Sequence, residues 1–483
     1  MSLLRHLTGY APARLAHAIA AFGGVYVFTR LLGAEEYGRY ALLVSILALV
    51  HTVSVTWAEA AAYRFAGTAR EQGGLPSHYS LALRLIGVSS LGGLILLAVL
   101  WLILREVPGY GPAIPVLGAL LVSGSVLQLA QETHRAEMRV ARYSLNETAH
   151  ILGGFGLGAL VAWQLGLGAV SPLVGLLVSR AVIALREGAW LRGAAKGGEV
   201  RSGASRAWFA YGVSIAGALV LDIVLSASDR FLIAAFLGEA SVGAYAAGYG
   251  VADKTVLMLC AWPAIAASPL LMARFEADGP AAAGNAAKDM IATVLFIAMP
   301  AATGLALVAQ PLGEAMIGEA VRSQAIGIVP WIAFAGLFNG LLVYIASEPY
   351  QLTRRTGLRA GLMLAPALLN IILNLLLLPR LGLMGAVYAT VISYALGFLL
   401  LALVGRGLVK LAWPWVGAAK IALACAMMAP VIWAIPNLGG WPQLLLEAAA
   451  GGGTYALVAF ALDAGGVRGF VKARMASKSG QHA

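Results

Sequence analysis

The chain of 483 residues is 60% hydrophobic and only 11% charged, with a formal net charge of +11. A soluble protein carries roughly a quarter charged residues, so no water-soluble fold can hide this much apolar surface and the bilayer must be the solvent. The surplus of Lys and Arg is accordingly a topology signal and not a nucleic-acid surface.

A membrane-spanning helix needs about 20 mainly apolar residues. Fourteen such runs are predicted in chain order, at about 12–32, 39–62, 80–104, 112–133, 144–165, 169–190, 208–235, 241–270, 287–309, 325–348, 358–378, 382–404, 415–435 and 443–463. No cleavable signal peptide is expected, because the first apolar run continues straight into membrane-like sequence. With the N-terminus taken as cytoplasmic, 25 Lys and Arg fall on the cytoplasmic side, Arg5, Arg201, Lys472, Arg474 and Lys478 among them. Six fall on the other side, and Arg180 and Lys254 lie within spans. This bias predicts that both termini are cytoplasmic. The 58 glycines suit close helix–helix contact in lipid. Cys260 and Cys425 sit inside apolar runs and read as free buried thiols.

One phrase is written twice. Leu32-Gly33-x4-Gly38-x-Tyr40-Ala41 recurs as Leu237-Gly238-x4-Gly243-x-Tyr245-Ala246, in each case at a break between two apolar runs. A weaker echo links Leu165-Gly166-Leu167-Gly168-Ala169-Val170 to Leu381-Gly382-Leu383-Met384-Gly385-Ala386-Val387. Internal repetition of this kind marks a transporter built from two related halves. The expected parse is a six-helix lobe at 1–191, a cytoplasmic linker at 192–207 and a second six-helix lobe at 208–405. Two additional helices at 406–465 and a basic tail at 466–483 complete it. A phosphate-binding GxxxxGK[ST] loop, HExxH, CxxC and a nucleophile elbow are all missing from the sequence. No catalytic residue, metal site or cofactor is therefore expected, and the chain reads as a carrier and not an enzyme.

Ionisable side chains inside spans are costly and mark functional positions. Arg180 lies ten residues from Trp190, about 15 Å along a helix and near the midplane. Lys254 is similarly deep, beside Asp253. Each is a candidate to hold an anionic headgroup, since a fixed cation in low dielectric attracts phosphate. The alternatives are a structural pair or snorkelling for Arg180, and neutralisation by Asp253 or Asp222 for Lys254. Asp222, Ser226 and Asp229 share one face of the seventh span, and Arg230 follows near the outer surface, where it could simply pair locally. In the second span Ser45, Thr52, Thr56 and Glu59 line one face with His51 beside it. Glu59 is a candidate for proton or cation coupling, and His51 reads first as hydrogen-bonded structure. Gln128, Glu132 and Arg135 share a face of the fourth span, the last two reading as a pair at its edge, while Asn370 and Asn374 read as interhelical hydrogen bonds. Arg30 precedes the repeated phrase at the outer end of the first span, placed to close an outer mouth or to meet substrate.

Three stretches carry a resemblance. These are Thr29-Arg30-Leu31-Leu32-Gly33-Ala34-Glu35-Glu36-Tyr37-Gly38-Arg39-Tyr40, then Asp229-Arg230-Phe231-Leu232-Ile233-Ala234-Ala235-Phe236-Leu237-Gly238 with Val242 to Tyr249, and Leu369-Asn370 through Asn374 to Pro379. Together with fourteen spans they resemble the polysaccharide transporters of the multidrug/oligosaccharidyl-lipid/polysaccharide exporter superfamily. The resemblance implies an all-α integral membrane fold and a flippase of the O-antigen or exopolysaccharide type in the bacterial inner membrane. It implies a polyprenyl-diphosphate-linked oligosaccharide as cargo, membrane lipid as surroundings, and polysaccharide polymerase and chain-length proteins as partners. Two lobes would rock about a cavity open first to one side and then to the other. Competing readings within the fold are a peptidoglycan-precursor flippase and a cation-coupled drug exporter. The latter usually has twelve spans and acidic cation sites, whereas Arg180 and Lys254 favour an anionic cargo. A membrane glycosyltransferase or polymerase would require a sizeable outer loop, which this chain lacks.

Overall fold

Every regular element among the described residues is helical, as an apolar chain that must satisfy its own backbone inside lipid requires. The computed structural model describes residues 3–200 and 203–468, with side chains from Gly9 onward. Of the basic residues used above for topology, the Arg5 side chain, Arg201, Lys472, Arg474 and Lys478 lie outside the described residues.

Two compact units divide the chain, Met1–Gly243 and Ala244–Ala483. The first holds α1 (Leu3–Leu31), α2 (Ala34–Ser54), α3 (Thr56–Glu71), α4 (Leu75–Leu104), α5 (Tyr110–Ala136), α6 (Val140–Leu165), α7 (Val170–Ala194) and α8 (Ala204–Leu237). The helix α8, expected to open the second lobe, packs on α2 and α3 in this unit. Gly158 on α6 and Gly175 on α7 meet so closely that a Cβ on Gly175 would overlap the Gly158 backbone. Small residues let helices approach in this way. Leu117, Leu120 and Leu121 of α5 and Leu173 of α7 are fully buried at the centre of the unit.

The second unit is built on α9 (Glu239–Leu307), whose first turn to Gly243 belongs to the first unit, and on α10 (Ala309–Met316), α11 (Glu319–Leu341), α12 (Glu348–Leu352), α13 (Thr356–Leu381), α14 (Leu383–Gly405), α15 (Trp415–Ala426), α16 (Met428–Trp433) and α17 (Gly440–Leu462). Tyr245 and Tyr249 of α9 bond through their hydroxyls to Thr390 and Tyr394 of α14, at 3.1 and 3.2 Å. A single π-helical turn, Leu342–Ala346, follows α11. Cys260 and Cys425 are buried free thiols.

Twelve helices among the described residues are long and apolar enough to cross a membrane, so the chain is a multi-pass membrane protein. The 25-residue α7 is not one of them, because Arg180, Arg186, Glu187 and Arg192 interrupt it. The α9 rod counts once although its 69 residues would run about 100 Å if straight, more than three times the ~30 Å hydrocarbon core. It breaks at Gly279, whose φ of 82° only glycine adopts without strain.

Two other features differ from the periodicity. The second apolar run is divided at Val55 into α2 and α3, with neither Gly nor Pro at the break. The thirteenth is divided into α15 and α16.

Candidate functional site

Inside the first unit, α2, α5, α6 and α7 enclose a cavity of about 320 Å³. Its walls are apolar on α2, α5 and α7, and five polar side chains enter it: His51, Thr52, Gln128, His150 and Arg180. The sequence explains why these helices leave space. Gly124 stands on α5 where the Arg180 guanidinium passes, and a Cβ there would lie 3.3 Å from Nη1. A larger side chain at 124 would displace the cation.

Arg180 is the central group. Its guanidinium makes no hydrogen bond or ion pair among the described residues, and its Nε is buried with no acceptor. Glu147, which acts on it electrostatically, is already occupied. His17 Nε2 lies 2.8 Å from one Glu147 oxygen, Gln131 Nε2 donates to the other at 2.8 Å, and His150 Nε2 lies 3.2 Å from that second oxygen. A buried donor left without an acceptor costs about 1–3 kcal/mol, and more when charged. The cavity is therefore suited to an anion that brings its own acceptor oxygens.

On the α2 wall His51 Nε2 lies 3.1 Å from Glu59 Oε1. Eight residues on a straight helix are about 12 Å apart along the axis, and the break at Val55 closes that gap. Glu59 is 5% exposed and reaches the cavity only through His51. Gln128 Nε2 donates to Glu132 at 3.0 Å, and Glu132 in turn pairs with Arg135 at 2.9 Å, the edge pair that the spacing suggested.

The structure thus places Arg180 on the α7 wall of the cavity and Glu59 behind His51, which lines it from α2. The other sequence candidates lie elsewhere. Arg30 is exposed on α1, stacked on Tyr26 at 3.9 Å and donating to the Tyr26 carbonyl at 2.8 Å. Arg230 on α8 donates to Ser45 Oγ on α2 at 3.0 Å. Asp229 is fully buried and Asp222 half-buried on the same helix. Asp253 is buried and Lys254 exposed on α9, in the second unit. Asn374 donates to the Asn370 carbonyl along α13 at 2.9 Å.

Sequence reasoning missed two clusters. One is the Glu147 group just described. The other centres on Glu187 of α7, which is completely buried. It takes hydrogen bonds from Arg142 at 2.8 and 3.1 Å, Asn146 at 2.8 Å and Arg186 at 3.0 Å, and His134 Nε2 lies 2.9 Å away. Trp190 packs over Arg142, Arg139 and His134. The available signal was the charge density of α7, which a solvent-facing helix end would explain equally well. No arrangement among the described residues is suited to hold a metal ion.

Several solved structures share this architecture. The lipid II flippase MurJ in an inward closed conformation aligns with a TM-score of 0.71 at 14% identity, over 94% of this chain and 98% of that one. A multidrug resistance MATE family transporter of the MOP superfamily, inward-facing, gives 0.61 at 15% identity over 81% and 94%. A MOP superfamily transporter from Pyrococcus furiosus gives 0.54 at 15% identity over 84% and 95%. At such identities the likeness establishes the fold, that of MOP-superfamily transporters. None of these three neighbours is an enzyme by name. Among curated protein sequences none matches this chain. The profile described as polysaccharide biosynthesis protein matches residues 27–324, more than half of the sequence. The chain belongs to the polysaccharide biosynthesis protein family.

Proposed function

We infer that this protein is a flippase for a lipid-linked oligosaccharide. Its cargo is a polyprenyl-diphosphate glycan moved from the inner to the outer leaflet of a bacterial inner membrane by alternating access, for O-antigen or exopolysaccharide assembly. Family membership and the fold shared with a lipid II flippase support this reading. The observation that carries it is Arg180, a guanidinium without an ion-pair partner among the described residues, on the wall of a cavity in the first unit. A guanidinium presents donors in the fork geometry that phosphate oxygens accept. The same feature disfavours a cation-coupled drug exporter, whose cargo is commonly cationic and would be repelled.

In this reading α7 crosses the membrane despite its charges, and α9 crosses twice, on either side of Gly279. Added to the twelve apolar helices, these make fourteen spans with both termini cytoplasmic. The repeats at 1–191 and 208–405 act as the two moving halves. Arg30, Arg230 and Lys254 supply further positive charge along the path, and Glu59, Asp222, Asp229 and Asp253 are the groups available for ion coupling.

The test is binding of a polyprenyl-diphosphate sugar to the purified protein in nanodiscs. Removing hydrogen bonds to a charged group costs about 1.5–3 kcal/mol, so Arg180→Ala weakens binding by roughly 10–100-fold, and Arg180→Lys by less. Unchanged affinity in Arg180→Ala would contradict the assignment.

A further inference from the structure

A second cavity in the first unit is larger than the Arg180 site. It is an open groove of about 870 Å³ between α4, α5 and α7, on the side of α5 away from His51. Its floor holds Gly118, Ala184 and Gly188, and its walls include Leu97, Val122 and Leu177. Two contacts show why it is deep: a Cβ on Gly118 would lie 3.1 Å from Leu94, and one on Gly188 3.2 Å from Val126.

Three properties define what fits. First, it is long. Along α4 it runs from Leu83 to Trp101, eighteen positions or about 27 Å, nearly the whole ~30 Å hydrocarbon core. Second, it is chemically apolar. Ser123 returns its hydroxyl to the Ala119 carbonyl at 2.8 Å, and the Trp101 indole donates to Gly111 O at 3.0 Å, so neither seeks a ligand. Third, its ends differ. Ser80 donates to the Ala195 carbonyl at 2.9 Å, which aligns the Leu83 end of α4 with the exposed Arg192 on α7. At the far end Trp101 lies under Arg105, as residues of a membrane interface do.

We propose that this groove holds the polyprenyl chain of an anionic lipid, with its phosphate at Arg192 and its chain running toward Trp101. A fatty acyl chain belongs to one leaflet, half this length, whereas a polyprenyl chain is long enough to fill it. Burying hydrocarbon contributes about 0.8 kcal/mol per CH₂ taken from water, but lipid already supplies an apolar medium. Selectivity here therefore comes from length and from the charge of Arg192, which complements a phosphate. The identity of the chain rests on the flippase reading.

The test places a photo-reactive benzoylphenylalanine at Val122 or Leu185, which line the groove, and at Val88, which is as open as Leu185 but outside it. Nanodiscs contain phosphatidylethanolamine, phosphatidylglycerol and undecaprenyl phosphate, and adducts are identified by mass spectrometry. Undecaprenyl adducts at Val122 and Leu185 at least tenfold above Val88 are expected, with Arg192→Ala reducing them severalfold. Phospholipid adducts alone, or equal labelling at all three positions, would overturn the proposal. Ala181→Trp, which fills the groove, should abolish labelling at Val122. Transfer of a polyprenyl-diphosphate glycan in proteoliposomes separates the two ideas. Groove labelling without transfer refutes the flippase reading alone, and transfer without groove labelling refutes the groove alone.

Discussion

Arg39 Nη2 lies 2.7 Å from Glu239 Oε2, a contact within the first unit between the first copy of the repeated Leu-Gly phrase and the start of the second. The contact is supported on all sides. Arg39 also bonds Glu36, Glu36 accepts the Ala169 backbone N–H at 2.6 Å, and the Tyr110 hydroxyl donates to Glu239 at 2.7 Å. Gly38 presses against the Glu239 carbonyl so closely that a Cβ would overlap it. The glycine of the first copy is thus required by close approach to the second.

Gly38→Ala should therefore destabilise the protein, by about 1–3 kcal/mol as overpacking does. Arg39→Ala strips Glu239 of its cation and should cost about as much. Thermal unfolding in detergent checks both, and a wild-type midpoint for Gly38→Ala would mean that the two phrases do not meet as described.

Glu187→Ala should be among the most damaging single changes. It leaves Arg142, Arg186, Asn146 and His134 without their common acceptor, and breaking a buried charged cluster costs about 3–5 kcal/mol. Glu187→Gln keeps part of the bonding and should cost less. Tryptophan fluorescence during unfolding provides the readout, with Trp190, whose ring packs against His134, as the local reporter.

A pH effect is expected at the contact between α10 and α17. The Gly440 backbone N–H at 2.9 Å and then the Gln310 amide at 2.7 Å hold the Glu314 carboxyl below its ordinary value of 4.5. A carboxyl with a depressed folded value favours the fold above 4.5, and that contribution disappears as pH falls through the lower, folded value. Glu314 is partly exposed, so the effect is small. Comparing unfolding midpoints between pH 7 and pH 3 in wild type and Glu314→Gln isolates it; identical pH profiles would refute it.

Neutralising the two cations that the sequence places within spans should weaken transport and leave insertion intact. Arg180→Ala and Lys254→Ala, alone and combined, are expected to lower export while membrane levels stay normal. Normal export from the double variant would remove both residues from the path.

The helical membrane fold was legible because its signals are one-dimensional: apolar runs of about twenty residues, glycine at breaks and Lys/Arg bias. Arg180 was legible for the same reason, as a charge where periodicity allows none. The Glu187 and Glu147 clusters were not, since their partners come from three helices up to 130 positions apart. The break at Val55 was also hidden. No Gly or Pro marks it, and His51 and Glu59 meet across it at 3.1 Å. The apolar groove left no trace, because a small residue reads the same whether it meets a neighbouring helix or leaves a gap.

The central claim is tested most directly by mass spectrometry of polyprenyl-linked lipids from cells with and without the gene. Build-up of a diphosphate-linked oligosaccharide in its absence, reversed by the wild-type gene and not by Arg180→Ala, is the predicted result. An unchanged lipid profile would contradict the flippase account.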